Sequence, residues 1–211
     1  MTTAAPAPVA ARRPSPILVS MTAFLNYVLA GGRPKMTAAK AAKTGDAFDF
    51  YGPLRDAIVG SMLHTLVLDD FIAGLENESQ RRHFPALAGA WTAFVRKAKV
   101  ARAFAAPVGL LRSAPTPGTG IVVEVNPTIG LITEAGETLF VKLWCRTEAP
   151  DARRIEATLQ LLHDTFPVAK TTTTMALLDL RRGVLHSLQK PRAKVSALLA
   201  AEACSLAVAV V

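Results

Sequence analysis

Residues 120–146 read GIVVEVNPTIGLITEAGETLFVKLWCR, and no other stretch alternates β-branched or aromatic residues with polar ones over such a length. Ile121, Val123 and Val125 alternate with Val122 and Glu124, the two-residue period of a strand with one wetter face. Asn126-Pro127 breaks the strand, because proline brings no N–H to a ladder and asparagine suits a turn. Residues 130–134 form a short second strand. Ala135-Gly136 then makes a two-residue hairpin loop, with glycine supplying positive φ. In the third strand, residues 138–146, Leu139, Val141, Leu143 and Cys145 share an apolar face. The other face carries Thr138, Phe140, Lys142, Trp144 and Arg146, which sets Lys142 between two aromatic residues. The pattern predicts a three-stranded antiparallel meander whose apolar face packs on helices.

Upstream, residues 1–16 are Ala, Pro and Thr with two arginines and cannot bury enough to fold, which predicts a flexible arm. Arg12-Arg13 before the apolar run 17–30 has the look of a signal peptide, but Pro14, Pro16, Asn26 and Tyr27 argue against it. The preferred reading is an amphipathic helix with Met21, Phe24, Leu25 and Val28 inward and Gly31-Gly32 at its end. Residues 33–45 are a basic, alanine-rich connection. Asp49 and Pro53 open a helix over 53–74, with Leu54, Ile58, Met62 and Leu66 at helical spacing. Asp69, Asp70, Glu76 and Glu78 cluster without the spacing of a calcium loop. Pro85 opens the next helix, which buries Leu87, Trp91, Phe94 and Ala98 and turns Arg96 and Lys99 outward, with Lys97 and Arg102 on its flanks. Residues 107–118, rich in Pro and Gly, are a linker or long loop.

Downstream, Asp151 starts a helix to about residue 166 with Ile155, Leu159 and Leu162 in its core stripe, and Arg153 and Arg154 early in it. Residues 175–180 read as a strand, Arg181-Arg182-Gly183 as a turn and residues 184–188 as another strand. An Ala/Leu helix runs from Lys194 onward. Asp179 and Arg181, two apart on one strand face, form an ion pair closing the sheet or, alternatively, line a site with Lys142 and Glu124. The expectation is an α+β protein with a helical N-terminal half packed on a small, mainly antiparallel sheet. Its parts are an arm (1–16), a helical region (17–106), a linker (107–118) and an α+β region holding the meander (119–211).

The chain has 211 residues and a net charge of +8, with 51% hydrophobic residues, which argues against global disorder. No run reaches the roughly eighteen apolar residues of a spanning helix, so no membrane is expected. Cys145 and Cys204 read as two buried thiols of a cytoplasmic protein. The charge is unevenly spread. Residues 1–45, 79–123 and 180–201 hold many Lys and Arg and no acid. Basic blocks of this kind are an electrostatic footprint for a polyanion or, more plainly, solvated surface.

Phosphate-binding and dinucleotide-binding glycine loops, nucleophile elbows and zinc spacings are absent from the sequence, so no cofactor or metal is expected. His64, His83, His163 and His186 are dispersed. A helix, three antiparallel strands, a helix and a further strand, from about 85 to 181, resembles the core order of the PD-(D/E)XK nuclease superfamily. The resemblance implies an acid on the second strand and an acid-x-Lys on the third, holding a divalent metal. Lys142 matches the lysine, but Phe140 stands where the acid belongs; Glu134 lies only at the end of the second strand, and Glu124 is one strand earlier. With the carboxylates displaced, little is left to hold a metal ion, and the resemblance implies a degenerate, non-catalytic member.

The leading expectation is a non-enzymatic, nucleic-acid-associated protein that binds phosphates through Arg96, Lys97, Lys99, Arg102, Arg181 and Arg182. Replacing Lys97, Lys99 and Arg102 by Glu is then expected to abolish binding. A second expectation is a protein-interaction or regulatory subunit, or a homo-oligomer, burying the apolar tail. A third is a metal-dependent nuclease using Glu124, Glu134 and Lys142.

Overall fold

In the computed structural model, residues 16–45, 49–113, 120–166, 173–188 and 190–210 are described. The predicted arm (1–16) therefore lies almost wholly outside the described residues, as do residues 114–119 of the predicted linker. The elements follow as β1 (Ile17–Ser20), α1 (Met21–Leu29), α2 (Gly32–Thr44), α3 (Gly52–Met62), α4 (Leu68–Ala73) and α5 (Glu78–Lys97). Next come β2 (Val100–Phe104), β3 (Gly109–Arg112), β4 (Ile121–Val125), β5 (Ile129–Thr133) and β6 (Thr138–Trp144). The chain ends with α6 (Ala152–Thr165), β7 (Thr173–Asp179), β8 (Val184–Ser187) and α7 (Ala193–Val210). The fold is α+β.

β6 is the middle of a five-stranded sheet ordered β2-β5-β6-β7-β8. All its pairings are antiparallel except β6 with β7, which run parallel from Thr138↔Thr173 to Trp144↔Asp179. A parallel pair needs a crossover, and α6 supplies it. The predicted apolar face holds: Leu139, Val141, Leu143 and Cys145 are buried, packed with Leu54, Ile58, Phe84, Leu87, Trp91 and Phe94 from α3 and α5. The opposite face, with Phe140, Lys142 and Trp144, looks toward α6.

The meander is corrected at its first strand. Only β5 and β6 pair as predicted, and β4 leaves for a second sheet ordered β1-β4-β3. The break falls at Asn126-Pro127. Pro127 offers no N–H, and the Asn126 carbonyl accepts instead from Lys142 Nζ at 2.8 Å. The strand antiparallel to β5 on its far side is β2, so β2, β5 and β6 make the three antiparallel strands. Gly130 permits this pairing, because a Cβ there would stand 2.3 Å from the Phe104 ring.

Other boundaries move for local reasons. Residues 17–20 are a strand rather than the start of a helix, since they pair in parallel with β4, and Ser20 caps α1 by accepting from Ala23 N. The 33–45 connection is a full helix, closed by Gly45 in the left-handed region at φ 68°. The predicted helix 53–74 breaks after α3, where His64 has φ 58° and Leu66 folds back against Gly60. Pro85 lies inside α5 rather than opening it, for the true cap is Asn77, which accepts from Gln80 N. The segment read as a linker contains β3. Cys145 is buried, but Cys204 is exposed.

The second core joins both ends of the chain. Val19, Phe24, Leu25 and Val28 meet Ile121, Val123 and Val125 of β4, Leu161 and Leu162 of α6, and Leu199 and Leu206 of α7. By length and composition α7 is apolar enough to cross a membrane, which the sequence reading did not expect. Polar bonds nonetheless fix it to the protein. Glu202 takes Lys35 of α2 at 2.7 Å, Ser205 meets the Tyr27 hydroxyl at 2.9 Å, and Gln160 of α6 accepts from Arg192 N at 2.7 Å.

Candidate anion-binding cavity

The face of β6 that turns toward α6 opens on a cavity of about 350 Å³. Lys142 projects into it from the strand. Its Nζ donates to the carbonyl and to Oδ1 of Asn126, at 2.8 and 3.0 Å, both neutral acceptors. Burial, then the neighbouring Arg55 guanidinium, pushes the Lys142 ammonium down to about 8, while Asp49 opposes the shift.

Past the end of β6 the chain places two more cations. Arg146 and Arg154 each bring their guanidinium carbon to 5.3 Å from the Trp144 ring centroid, within cation–π range. Trp144 is anchored by Nε1, which donates to the Glu148 carbonyl at 2.7 Å. Asp151 caps α6 by accepting from Arg154 N at 2.7 Å, so Arg154 starts from a fixed backbone. Burial and the nearby Arg146 lower the Arg154 pKa, and Asp151 offsets part of that. The fourth cation, Arg55 of α3, is paired with Asp49. Among the described residues, Asp49 is the one acid in the lining. Among the described residues, Lys142, Arg146 and Arg154 have no carboxylate within ion-pair distance.

Two helices also point their N-terminal ends at this space. Ser20, the cap of α1, lines it with Met21 and Thr22, as do Arg154 and Thr158 of α6; neither first turn contains an acid, although the Asp151 carboxylate caps α6. A helix N-terminus carries partial positive charge and disfavours a nearby cation. Arg154 in the first turn of α6 is thus placed against the dipole. Leu25 and Leu177 add apolar residues to the lining. The whole recess is suited to an anion.

Of the candidate site residues named from the sequence, Lys142 alone lines the cavity. Glu124 lies on β4 in the other sheet, outside the lining. Glu134 is an exposed turn residue beyond the opposite end of β6, because Ile132 pairs with Thr138. Four or more residues of strand separate it from Lys142, on the order of 13 Å. The three nuclease candidates are not brought together, and the described residues hold no group of three His, Cys, Asp or Glu suited to a metal.

Arg96, Lys97, Lys99 and Arg102 are all exposed, at the end of α5 and the start of β2. Arg181 and Arg182 both make bonds within the protein, Arg181 half-buried and Arg182 exposed. Arg181 donates to the Cys145 carbonyl at 3.0 Å and the Tyr51 hydroxyl at 3.2 Å. Arg182 donates to Asp179 at 3.0 Å and the Thr147 carbonyl at 2.8 Å. The expected Asp179–Arg181 pair is therefore an Asp179–Arg182 pair, because the turn beginning at Leu180 ends the strand alternation and carries Arg181 to the α3 side. Strand spacing and rise set these two arginines about 25 Å from the β2 patch.

Arg55, Asn126, Arg146 and Arg154 went unassigned in the sequence, scattered over a hundred positions. The one sequence signal is at Arg154, an arginine in the first turn of a helix, where an acid is usual.

No family model matches this chain, and no curated protein does. Of the solved structures, one described as "Crystal structure of SSO0001" is similar over 90% of this chain and 76% of that chain, at 10% identity and a TM-score of 0.41. A likeness of that size carries no argument here.

Proposed function

We propose that this protein is a non-catalytic, nucleic-acid-associated protein that binds phosphate through the cavity at the C-terminal end of β6. One observation carries the reading. Lys142, Arg146 and Arg154 converge on a recess whose single acid among the described residues, Asp49, is already taken by Arg55. Cations held together without counter-charge repel one another, and a bound anion relieves that cost. The N-terminus of α1, capped by the neutral Ser20, favours the same ligand. The exposed patch at Arg96, Lys97, Lys99 and Arg102 adds a diffuse attraction for a polyanion.

The order α5, antiparallel β2, β5 and β6, then α6 and β7 supports a degenerate PD-(D/E)XK-like scaffold as its origin. The nuclease reading itself requires Mg²⁺-dependent cutting that is lost in Lys142→Ala; our reading expects no cutting by either protein.

The test is anisotropy of labelled duplex DNA, single-stranded DNA and RNA across a salt series, with wild type and the Lys142→Met/Arg154→Gln double variant. Binding that weakens with salt and is lost in the double variant supports the proposal. Equal binding by the two proteins overturns it.

A second reading, a protein-interaction subunit or homo-oligomer, is favoured by α7, where Leu198 and Val208 stand 50% and 85% exposed. A sedimentation profile that shows a salt-insensitive oligomer supports it.

A further inference from the structure

Resting on the phosphate-binding reading, we propose that the cavity takes a terminal phosphomonoester, the phosphorylated end of a nucleic-acid strand, in preference to an internal phosphodiester. The first argument is charge. A phosphomonoester carries about −1.5 to −2 at neutral pH, whereas a diester carries a single negative charge. Lys142, Arg146 and Arg154 are three cations without a carboxylate among the described residues, and the Arg55–Asp49 pair beside them is neutral as a unit. A monoanion leaves most of that charge unanswered.

The second argument is arrangement. A protein that tracks a strand lays its cations along a groove, one phosphate after another. Here the cations come from β6, the loop after it, α3 and α6, and they face one recess. The exposed cluster at Arg96 to Arg102 lies on the far corner of the sheet, and the nearer exposed Arg182 is paired with Asp179. An internal diester would have to lead the chain into the recess and out again. A strand end enters once.

The third argument is room. At about 350 Å³ the cavity lies at the small end of ligand pockets, which span roughly 300–1,000 Å³. That admits a phosphate and part of its sugar. The apolar lining of Leu25 and Leu177 then lies against carbon rather than against a second phosphate.

The experiment compares one oligonucleotide sequence in three forms: 5′-phosphorylated, 3′-phosphorylated and with hydroxyls at both ends. Nucleoside monophosphate and inorganic phosphate serve as competitors. The full chain is used, with Lys142→Met and Arg154→Gln as separate variants whose fold is checked by circular dichroism and melting. The expected result is at least about tenfold tighter binding of one phosphorylated form, the scale of one charge-assisted contact, and loss of that preference in either folded variant. Equal affinity for all three forms, still lost in the variants, overturns this inference while leaving the phosphate-binding function standing. Competition by free nucleoside monophosphate as strong as by the strand end overturns the strand-end assignment in favour of a free nucleotide. No binding to any form overturns both.

Discussion

At the β2 edge of the five-stranded sheet, Arg96, Lys97, Lys99 and Arg102 stand in solvent with no acid close in sequence. At the opposite end of β6, Lys142, Arg146 and Arg154 stand around a cavity, again without carboxylate partners among the described residues. Water and salt screen the first group within about 10 Å at ordinary ionic strength. Burial lowers the pKa of two members of the second, and the N-terminus of α1 reinforces its field. The same residue types therefore do different things. The patch attracts at long range and holds weakly; the recess concentrates potential on one small volume.

The comparison is broken most forcefully by the double variant Lys142→Met/Arg154→Gln. Each lost charge-assisted bond is worth about 1.5–3 kcal/mol, so affinity should fall by a hundredfold or more. Titration by anisotropy reads it. Gly130→Ala makes the complementary break, damaging the sheet and leaving the recess intact. A Cβ there meets the Phe104 ring, so stability should fall by about 1–3 kcal/mol in a urea melt with phosphate affinity retained.

The pH response sharpens the contrast, and its sign follows from Lys142. The folded value is about 8 against an ordinary 10.5, so the unfolded chain binds more protons between those two limits. Stability should rise as pH goes from about 8 toward 10.5, and the buried charge should cost most below 8. Phosphate affinity should move the opposite way, weakening as Lys142 loses its proton near pH 8. Melts and titrations over pH 7 to 10 check both, and Lys142→Met should flatten each profile. The smallest effect belongs to Lys97→Glu/Lys99→Glu/Arg102→Glu. Exposed charges contribute at most about 1 kcal/mol each. The triple variant should lose several-fold at low salt and little at high salt, in contrast to the abolition that the sequence alone predicts.

Local patterns in the sequence carried the scaffold well. Alternation in Thr138–Trp144 fixed which face of β6 is buried, and Asp151 marked the start of α6. Partners across the sheet were another matter. Nothing in IVVEV tells that β4 pairs with Ile17–Ser20 and Gly109–Arg112 rather than with β5, because strand pairing depends on which surfaces meet in three dimensions. The site was legible only at Lys142, a cation on an otherwise aromatic strand face. Arg55, Arg146 and Arg154 became a group through the crossing of α3 and α6 over β6. The bonds of Arg181 and Arg182 were hidden for the converse reason: a basic doublet in a turn looks free until its acceptors, the Cys145 and Thr147 carbonyls, are in place.

The most direct measurement is the salt dependence of strand binding for three proteins side by side: wild type, the Lys142→Met/Arg154→Gln variant and the Lys97→Glu/Lys99→Glu/Arg102→Glu variant. If the recess holds the phosphate, the cavity variant loses affinity at every salt concentration, and the patch variant rejoins wild type as salt rises. If the patch variant loses binding throughout while the cavity variant keeps it, the recess is not the site.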